Sequence, residues 1–470
     1  MVLMSPEEFR VSAHQVVDWM ADYLRDIRDF PVVPSVEPGE TFDKLPAEAP
    51  EHGESMETIL ADFRSLILPG ITHWNHPRFH AYFSVSASGP GILGEMIAAT
   101  MNVQHMLWKT GPSATELEQV TMNWMRQLLG LPEEFFGMIH DTASTSTFHA
   151  IMAAREFASP ETHATGKQPT LILYTSEHAH SSVDRGALAL GIGAENIRHV
   201  PADADFRMLP DALSAMIDDD LAAGRKPFCV VPTLGTTSST SADPLSEIAA
   251  IADRHNLWLH VDAAYAGPAA ILEEHRHMLK GIERADSIVM NPHKWLFTPV
   301  DLSILYTRRP EIMRRALAMD TPAYLRTAQH ERALNYSEFS VALGRRFRAL
   351  KLWFVMRYYG REGLAKILRG HLRMAQELAE KIRDSDEFEL AAPVPFSLVC
   401  FRYRGSDDEN RALIERINAT GRAYLSGTVL GGRFVIRFAI GNLATTDDDI
   451  RETWDLICDL SSQRSSTPAD

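Results

Sequence analysis

Lys294 lies in Asn291-Pro292-His293-Lys294-Trp295, directly after the apolar run Ser287-Ile288-Val289-Met290, which reads as a strand. A Lys at the end of a buried strand, beside an aromatic ring and a histidine, has its charged form disfavoured. Its amine is then more readily neutral and nucleophilic. That is the state an amine needs to form a Schiff base with a carbonyl. Alone, such a Lys fits a surface position after a strand equally well. A second stretch, His260-Val261-Asp262-Ala263-Ala264-Tyr265-Ala266-Gly267, places an acid at the end of another apolar strand, 32 residues before Lys294. An Asp and a Lys at two strand ends can hold a ring nitrogen and an aldehyde carbon on opposite sides of one heteroaromatic ring.

Three further stretches carry groups suited to chemistry. Asp141-Thr142-Ala143-Ser144-Thr145-Ser146-Thr147 precedes an apolar helix, Phe148 to Phe157. Small and hydroxyl residues at a helix start suit a phosphate, through exposed N–H groups and the positive dipole end. They suit a plain N-cap as well. His178-Ala179-His180-Ser181-Ser182 follows a strand ending near Thr175; two histidines with no further ligand pattern make no metal site. Thr233-Leu234-Gly235-Thr236-Thr237-Ser238 is a hydroxyl-rich turn in which Gly permits close backbone approach. The aromatic-rich stretch from Trp74 to Phe83 fits either a core or a ring-accepting pocket.

The elements that must position these groups follow from the pattern. From about residue 90 to 310, helices alternate with short Val/Ile/Leu-rich strands, which predicts an α/β unit with a mainly parallel sheet covered on both faces. Ligands then gather at the carboxyl ends of the strands. Ser5-Pro6-Glu7-Glu8 predicts a capped N-terminal helix whose apolar face includes Phe9, Val16, Val17, Met20, Leu24 and Ile27. Residues from about 367 onward read as a small α+β unit with two helices, short strands and a final amphipathic helix. The expected division is 1–85, 86–366 and 367–470. A long basic-then-apolar helix is expected to start at Gly344, and a polar stretch from Asp320 to Asn335 reads as a loop.

The chain has 470 residues and a net charge of −16, with 45% apolar and 23% charged residues. This excludes nucleic acid or an anionic membrane as the main partner. No apolar run approaches the length of a membrane span. An N-terminus acidic early argues against a signal peptide, and three dispersed cysteines, Cys229, Cys400 and Cys458, read as reduced residues of a cytoplasmic protein.

The stretches around Asp262 and Lys294 closely resemble the group II decarboxylases that use pyridoxal phosphate, the branch including the aromatic-L-amino-acid decarboxylases. The resemblance covers nearly the whole chain. It implies a fold type I architecture with a seven-stranded sheet, a pyridoxal 5'-phosphate cofactor and an amino-acid substrate. It also implies a homodimer with shared active sites, in which the N-terminal segment packs on the other subunit.

Residue by residue, the resemblance implies that Lys294 carries the cofactor and Asp262 keeps its ring nitrogen protonated. Ala143, Ser144 and Asn291 would hold the phosphate. His180 would lie flat on the ring, with Thr237, Ala264 and His293 beside it. Trp74, Tyr82, Phe83, Leu343 and Gly344 would surround the substrate ring. Tyr324 would return a proton to the α-carbon, with Tyr336 a competing candidate whose flanks do not match. Ser84-Val85 stands where many relatives have Pro-Thr, which bears on substrate choice. Gly344 resembles the aromatic branch, whereas the histidine-using branch tends to carry Ser. The expected activity is decarboxylation of an aromatic L-amino acid to the amine. The alternatives are an aldehyde synthase, a decarboxylase of another amino acid such as histidine, or a silent relative that only binds. Retention of Lys294 and Asp262 argues against the last.

Overall fold

The computed structural model of the protein describes residues 3–318 and 332–462. Seven apolar runs form one sheet: β1 (Phe136–His140), β2 (Leu171–Ser176), β3 (Ile197–Val200), β4 (Lys226–Val231), β5 (Trp258–Asp262), β6 (Ser287–Met290) and β7 (Ser303–Thr307). Their order is β1-β7-β6-β5-β4-β2-β3. The five strands from β3 to β6 are parallel, and β7 runs antiparallel to both β6 and β1.

Strands β2, β5, β6 and β7 are buried along their whole length, hence their continuous apolar sequences. Alternate side chains feed two separate cores. Ile172, Tyr174, Val230, Leu259 and Ile288 join Met125, Leu213 and Leu352 in one. Leu171, Leu173, Cys229, Val231 and Trp258 join Ala150, Ile151 and Ala154 in the other. Helices therefore cover both faces, as expected. Because β5 and β6 are parallel neighbours, Asp262 and the Lys294 turn emerge at the same edge of the sheet.

A second sheet of four antiparallel strands, in the order β10-β11-β9-β8, comprises β8 (Phe388–Leu390), β9 (Leu398–Tyr403), β10 (Ser426–Leu430) and β11 (Arg433–Ala439). Helices Asp407–Ala419 and Asp447–Ser462 share a core with it. The N-terminal helix Pro6–Arg25 starts with the expected capping box: Glu8 N–H donates to Ser5 Oγ, and Ser5 N–H to the Glu8 carboxylate. None of its residues is buried.

One expectation changes. The long helix spans Arg348–Arg383, not from Gly344. Residues Arg345 and Arg346 lie before it because their backbone bonds go elsewhere: Arg345 N–H donates to the Gln104 side-chain Oε1 at 2.7 Å, Arg345 O accepts the His105 N–H, and Arg346 forms a β-bridge with Gln104. The 366/367 division also falls inside this helix, whose one break is at Gly360, at φ 60°. Gly tolerates that backbone conformation without strain.

Candidate active site

A cavity of about 190 Å³ opens at the carboxyl ends of the central strands. Lys294 and Asp262 both line it. The Lys294 turn forms because Pro292 opens a single helical turn after β6, with Lys294 N–H donating to Asn291 O at 3.0 Å. Burial holds the Lys294 amine below the usual lysine range, and the Asp262 charge opposes that shift. Asp262 is itself buried, and its Oδ1 accepts the Ala264 N–H at 3.0 Å. Its other oxygen remains available at the cavity wall.

His180 lines the same cavity from the turn between β2 and helix Ser182–Ala189. Its Nδ1 accepts the Ser182 N–H at 3.1 Å and lies 2.9 Å from Ser182 Oγ. The proton of the neutral ring is therefore on Nε2. Burial, and then the Lys294 charge, hold this imidazole below the ordinary histidine range, while Asp262 pulls it upward. His293 also lines the wall; its Nδ1 accepts the Leu302 N–H at 2.9 Å, and burial pushes its pKa down to about 4.

Thr142, Ala143 and Ser144 close one end of the cavity, where helix Ala143–Ala158 begins. The N-cap, Thr142, makes no side-chain capping bond. The first N–H groups of a 16-residue helix are thus left for a ligand, the arrangement that favours an anion over a plain cap. Thr237, Ala264 and Asn291 complete the wall. Gly235 also lies there, at φ +89°, and a Cβ on it would meet the Ala266 Cβ at 2.6 Å, so only Gly fits this turn.

Phe83 reaches the cavity too, with Lys294 Nζ 5.6 Å from its ring centre. It heads a stack: Phe83 on Tyr265 at 3.7 Å and Tyr265 on Trp295 at 5.1 Å, with interplanar angles of 14° and 7°. The other expected substrate residues do not line this cavity. Trp74, Tyr82 and Leu343 are 39%, 52% and 43% exposed on this subunit. Tyr82 is held at φ 51°, its N–H donating to Ser426 Oγ and its carbonyl accepting from Arg437. Gly344 sits beside Gln104, whose Nε2 a Cβ would meet at 3.1 Å. Tyr324 lies outside the described residues. Tyr336 is buried against Gly137 O and Arg345, away from this cavity.

Sequence reasoning left several groups without a role. Thr142, Ser182, Thr233, Gly235 and Tyr265 line the wall, and each lies within or beside a stretch already singled out. Arg437 had no such signal. From β11 its guanidinium donates to Thr237 O at 2.8 Å and Tyr82 O at 3.2 Å, tying the small sheet to the cavity.

The residues present suit pyridoxal phosphate. An amine, a carboxylate, an imidazole and an uncapped helix start surround one space, with the small Ala264 in its wall. Two buried wall atoms, Asn291 Oδ1 and Thr233 Oγ1, have no partner among the described residues, as expected of groups reserved for a ligand. No group of three metal-ligating side chains occurs among the described residues.

Comparison with known proteins agrees. The pyridoxal-dependent decarboxylase conserved domain matches residues 38–404. The aromatic-L-amino-acid decarboxylase of Mus musculus is 40% identical over 98% of this chain and 98% of its own length. The phenylacetaldehyde synthase of Arabidopsis thaliana is 38% identical over 97% and 94%. The crystal structure of Oryza sativa TDC with PLP and tryptamine superimposes with a TM-score of 0.96 at 36% identity, covering 98% of this chain and 99% of that one. The chain belongs to the pyridoxal-dependent decarboxylase family.

Proposed function

We propose that the protein decarboxylates an aromatic L-amino acid to the corresponding amine and carbon dioxide, with pyridoxal 5'-phosphate in the cavity beside Lys294. The observation that carries this reading is that Lys294 and Asp262 line one cavity of about 190 Å³. Bound there, pyridoxal phosphate supplies an aldehyde and an electron-accepting ring, which makes the bond from the α-carbon to the carboxylate breakable.

The chain's own residues do the rest. Lys294 Nζ would hold the aldehyde carbon of the cofactor. Asp262, as an anion, holds a proton on the ring nitrogen. The start of helix Ala143–Ala158, with Asn291, binds the phosphate. His180, protonated on Nε2, is proposed to support proton return to the α-carbon. Tyr324 is the proposed donor of that proton. Trp74, Tyr82, Phe83, Leu343 and Gly344 are proposed to surround the substrate ring, which suits a homodimer whose sites are completed across the interface. The exposed apolar positions among them, and an N-terminal helix with no residue buried in this subunit, support that assembly.

We treat residues 1–85, 86–366 and 367–470 as the dimer-packing, cofactor-binding and C-terminal parts. A cytoplasmic location suits three free cysteines, Cys229, Cys400 and Cys458. No helix among the described residues is long and apolar enough to cross a membrane.

A second reading is favoured by the aldehyde synthase among the relatives: decarboxylation with oxidative deamination, in which dioxygen and water are consumed and aldehyde, carbon dioxide, ammonia and hydrogen peroxide are released. Incubation with tryptophan, dopa, tyrosine, phenylalanine and histidine separates these, with amine, aldehyde and ammonia all quantified. Amine from one or more of the four aromatic substrates is expected. Turnover of histidine alone, or aldehyde as the main product, overturns the leading reading.

A further inference from the structure

We propose that His149 is a positioning residue for the substrate, its ring fastening the segment that carries Leu343 and Gly344 to the helix that forms the phosphate end of the cavity. This rests on the reading of Leu343 and Gly344 as substrate-facing. His149 is buried, well along the helix whose first residues, Ala143 and Ser144, line the cavity, and it takes no part in that wall. Its Nδ1 lies 2.7 Å from Thr145 O, a carbonyl that only accepts, so Nδ1 carries the proton. The neutral ring then has its lone pair on Nε2, and Val341 N–H donates to that atom at 3.0 Å. Both bonds exist only in this tautomer of the uncharged ring. A second proton would set an Nε2–H against the Val341 N–H.

The surroundings keep the ring uncharged and fixed in angle. His140, at the end of β1, stacks on it at 4.5 Å and 14°, with its own Nε2 buried and unpartnered. Of the charged groups facing the pair, Arg345 and Arg348 disfavour a proton, and Asp141, just before the helix, favours one. Burial outweighs Asp141, and both imidazoles lie below the ordinary histidine range. Arg345 is itself committed to Glu118 at 2.6 Å and to Ile139 O at 3.1 Å.

The segment is thus anchored at two places. Arg345 N–H holds one end on Gln104 Oε1 at 2.7 Å, and His149 holds the other at Val341. Leu343 and Gly344 lie between these anchors, with Leu343 exposed. Without the His149 acceptor, one end of a short span is released while the cofactor wall keeps all its own contacts. The expected signature is therefore in substrate binding and not in cofactor retention.

The test uses holoenzyme and the aromatic amino acid turned over fastest in the panel. His149→Phe is expected to raise KM by up to ~10-fold, the scale for one part-buried hydrogen bond lost, with kcat and the visible absorbance of bound cofactor little changed. His149→Gln, whose carbonyl can accept the Val341 N–H, is expected to restore KM. Because Gln does not titrate, its KM should also stay flat on acidification, whereas the parent's KM should rise only once the pH is well below the ordinary histidine range. An unchanged KM in His149→Phe, or equal damage in both variants, overturns the proposal. Should His149→Phe fail to fold, a shared acid-side rise of KM in parent and His149→Gln overturns it. Leu343→Ala separates the underlying reading: an unchanged KM there removes the substrate role of the segment. A raised KM in Leu343→Ala beside an unchanged one in His149→Phe removes this inference alone.

Discussion

The cofactor side and the proposed substrate side of the site are built in opposite ways. The first is finished within one subunit. Lys294 and Asn291 come from the turn after β6, Asp262 from the end of β5 and His180 from the turn after β2, yet all four line one cavity. The second is open. Trp74, Tyr82 and Leu343 stand exposed on this subunit, and only Phe83 joins them to the cavity. The lesson is that the chemistry is set by sheet topology, which one chain supplies. Ring recognition is left to surfaces that another subunit is proposed to cover. Changes on the first side should then damage the reaction itself, and changes on the second should damage substrate affinity.

Lys294→Ala should give the largest effect, with loss of turnover and of the visible absorbance of bound cofactor. Absorbance at full occupancy in that variant would sink the Schiff-base assignment. Asp262→Ala comes next. The anion proposed to keep the ring nitrogen protonated is gone, and activity should fall by at least ~10²-fold, the scale of a key catalytic electrostatic contact. Cofactor should still bind, through Lys294 and the helix start. Near-normal rates would remove the proposed role. Trp74→Ala probes the other side: KM should rise by roughly tenfold, about one aromatic contact's worth of binding, with cofactor content unchanged. If cofactor is lost instead, the division between the two sides fails.

What the sequence revealed follows the same split. The buried strands read plainly because Leu171–Ser176 and Ser287–Met290 are apolar on both faces. The residues just after them, Lys294 above all, could be placed at strand ends without coordinates. The seven-strand count and the residue roles came from resemblance, since periodicity alone does not order strands in a sheet. Groups that meet the site through space were illegible. Arg437 is 175 residues from Asp262 in sequence and touches the Thr237 turn only because β11 packs there. The start of the long helix was misplaced because Arg345 and Arg346 have good helical propensity but spend their backbone bonds on Gln104 and His105.

The smallest effect is expected at the seam between the two sides. His371 accepts the Trp295 Nε1–H on Nδ1 at 3.0 Å, and its Nε2–H donates to Asn442 O at 3.1 Å. Asn442 Nδ2 in turn donates to the carbonyls of Trp74 and His76. The neutral ring thus joins the residue after Lys294 to the backbone of the aromatic stretch. His371→Leu orphans the Trp295 N–H and should destabilise the protein by about 1–3 kcal/mol at pH 8, leaving KM and kcat nearly intact. The pH dependence identifies the cause. Burial pushes the His371 pKa down to about 4, against about 6.5 when unfolded. Below that unfolded value the unfolded chain binds a proton that the folded one refuses. The parent therefore loses roughly 1.4 kcal/mol of stability per pH unit from this group as pH falls toward 4. The variant has no such group, so the stability gap between the two should narrow on acidification. A gap that stays constant in denaturant titrations at pH 8, 6.5 and 5.5 would mean that His371 acts by packing alone, and that the two sides are joined by shape and not by this hydrogen-bonded ring.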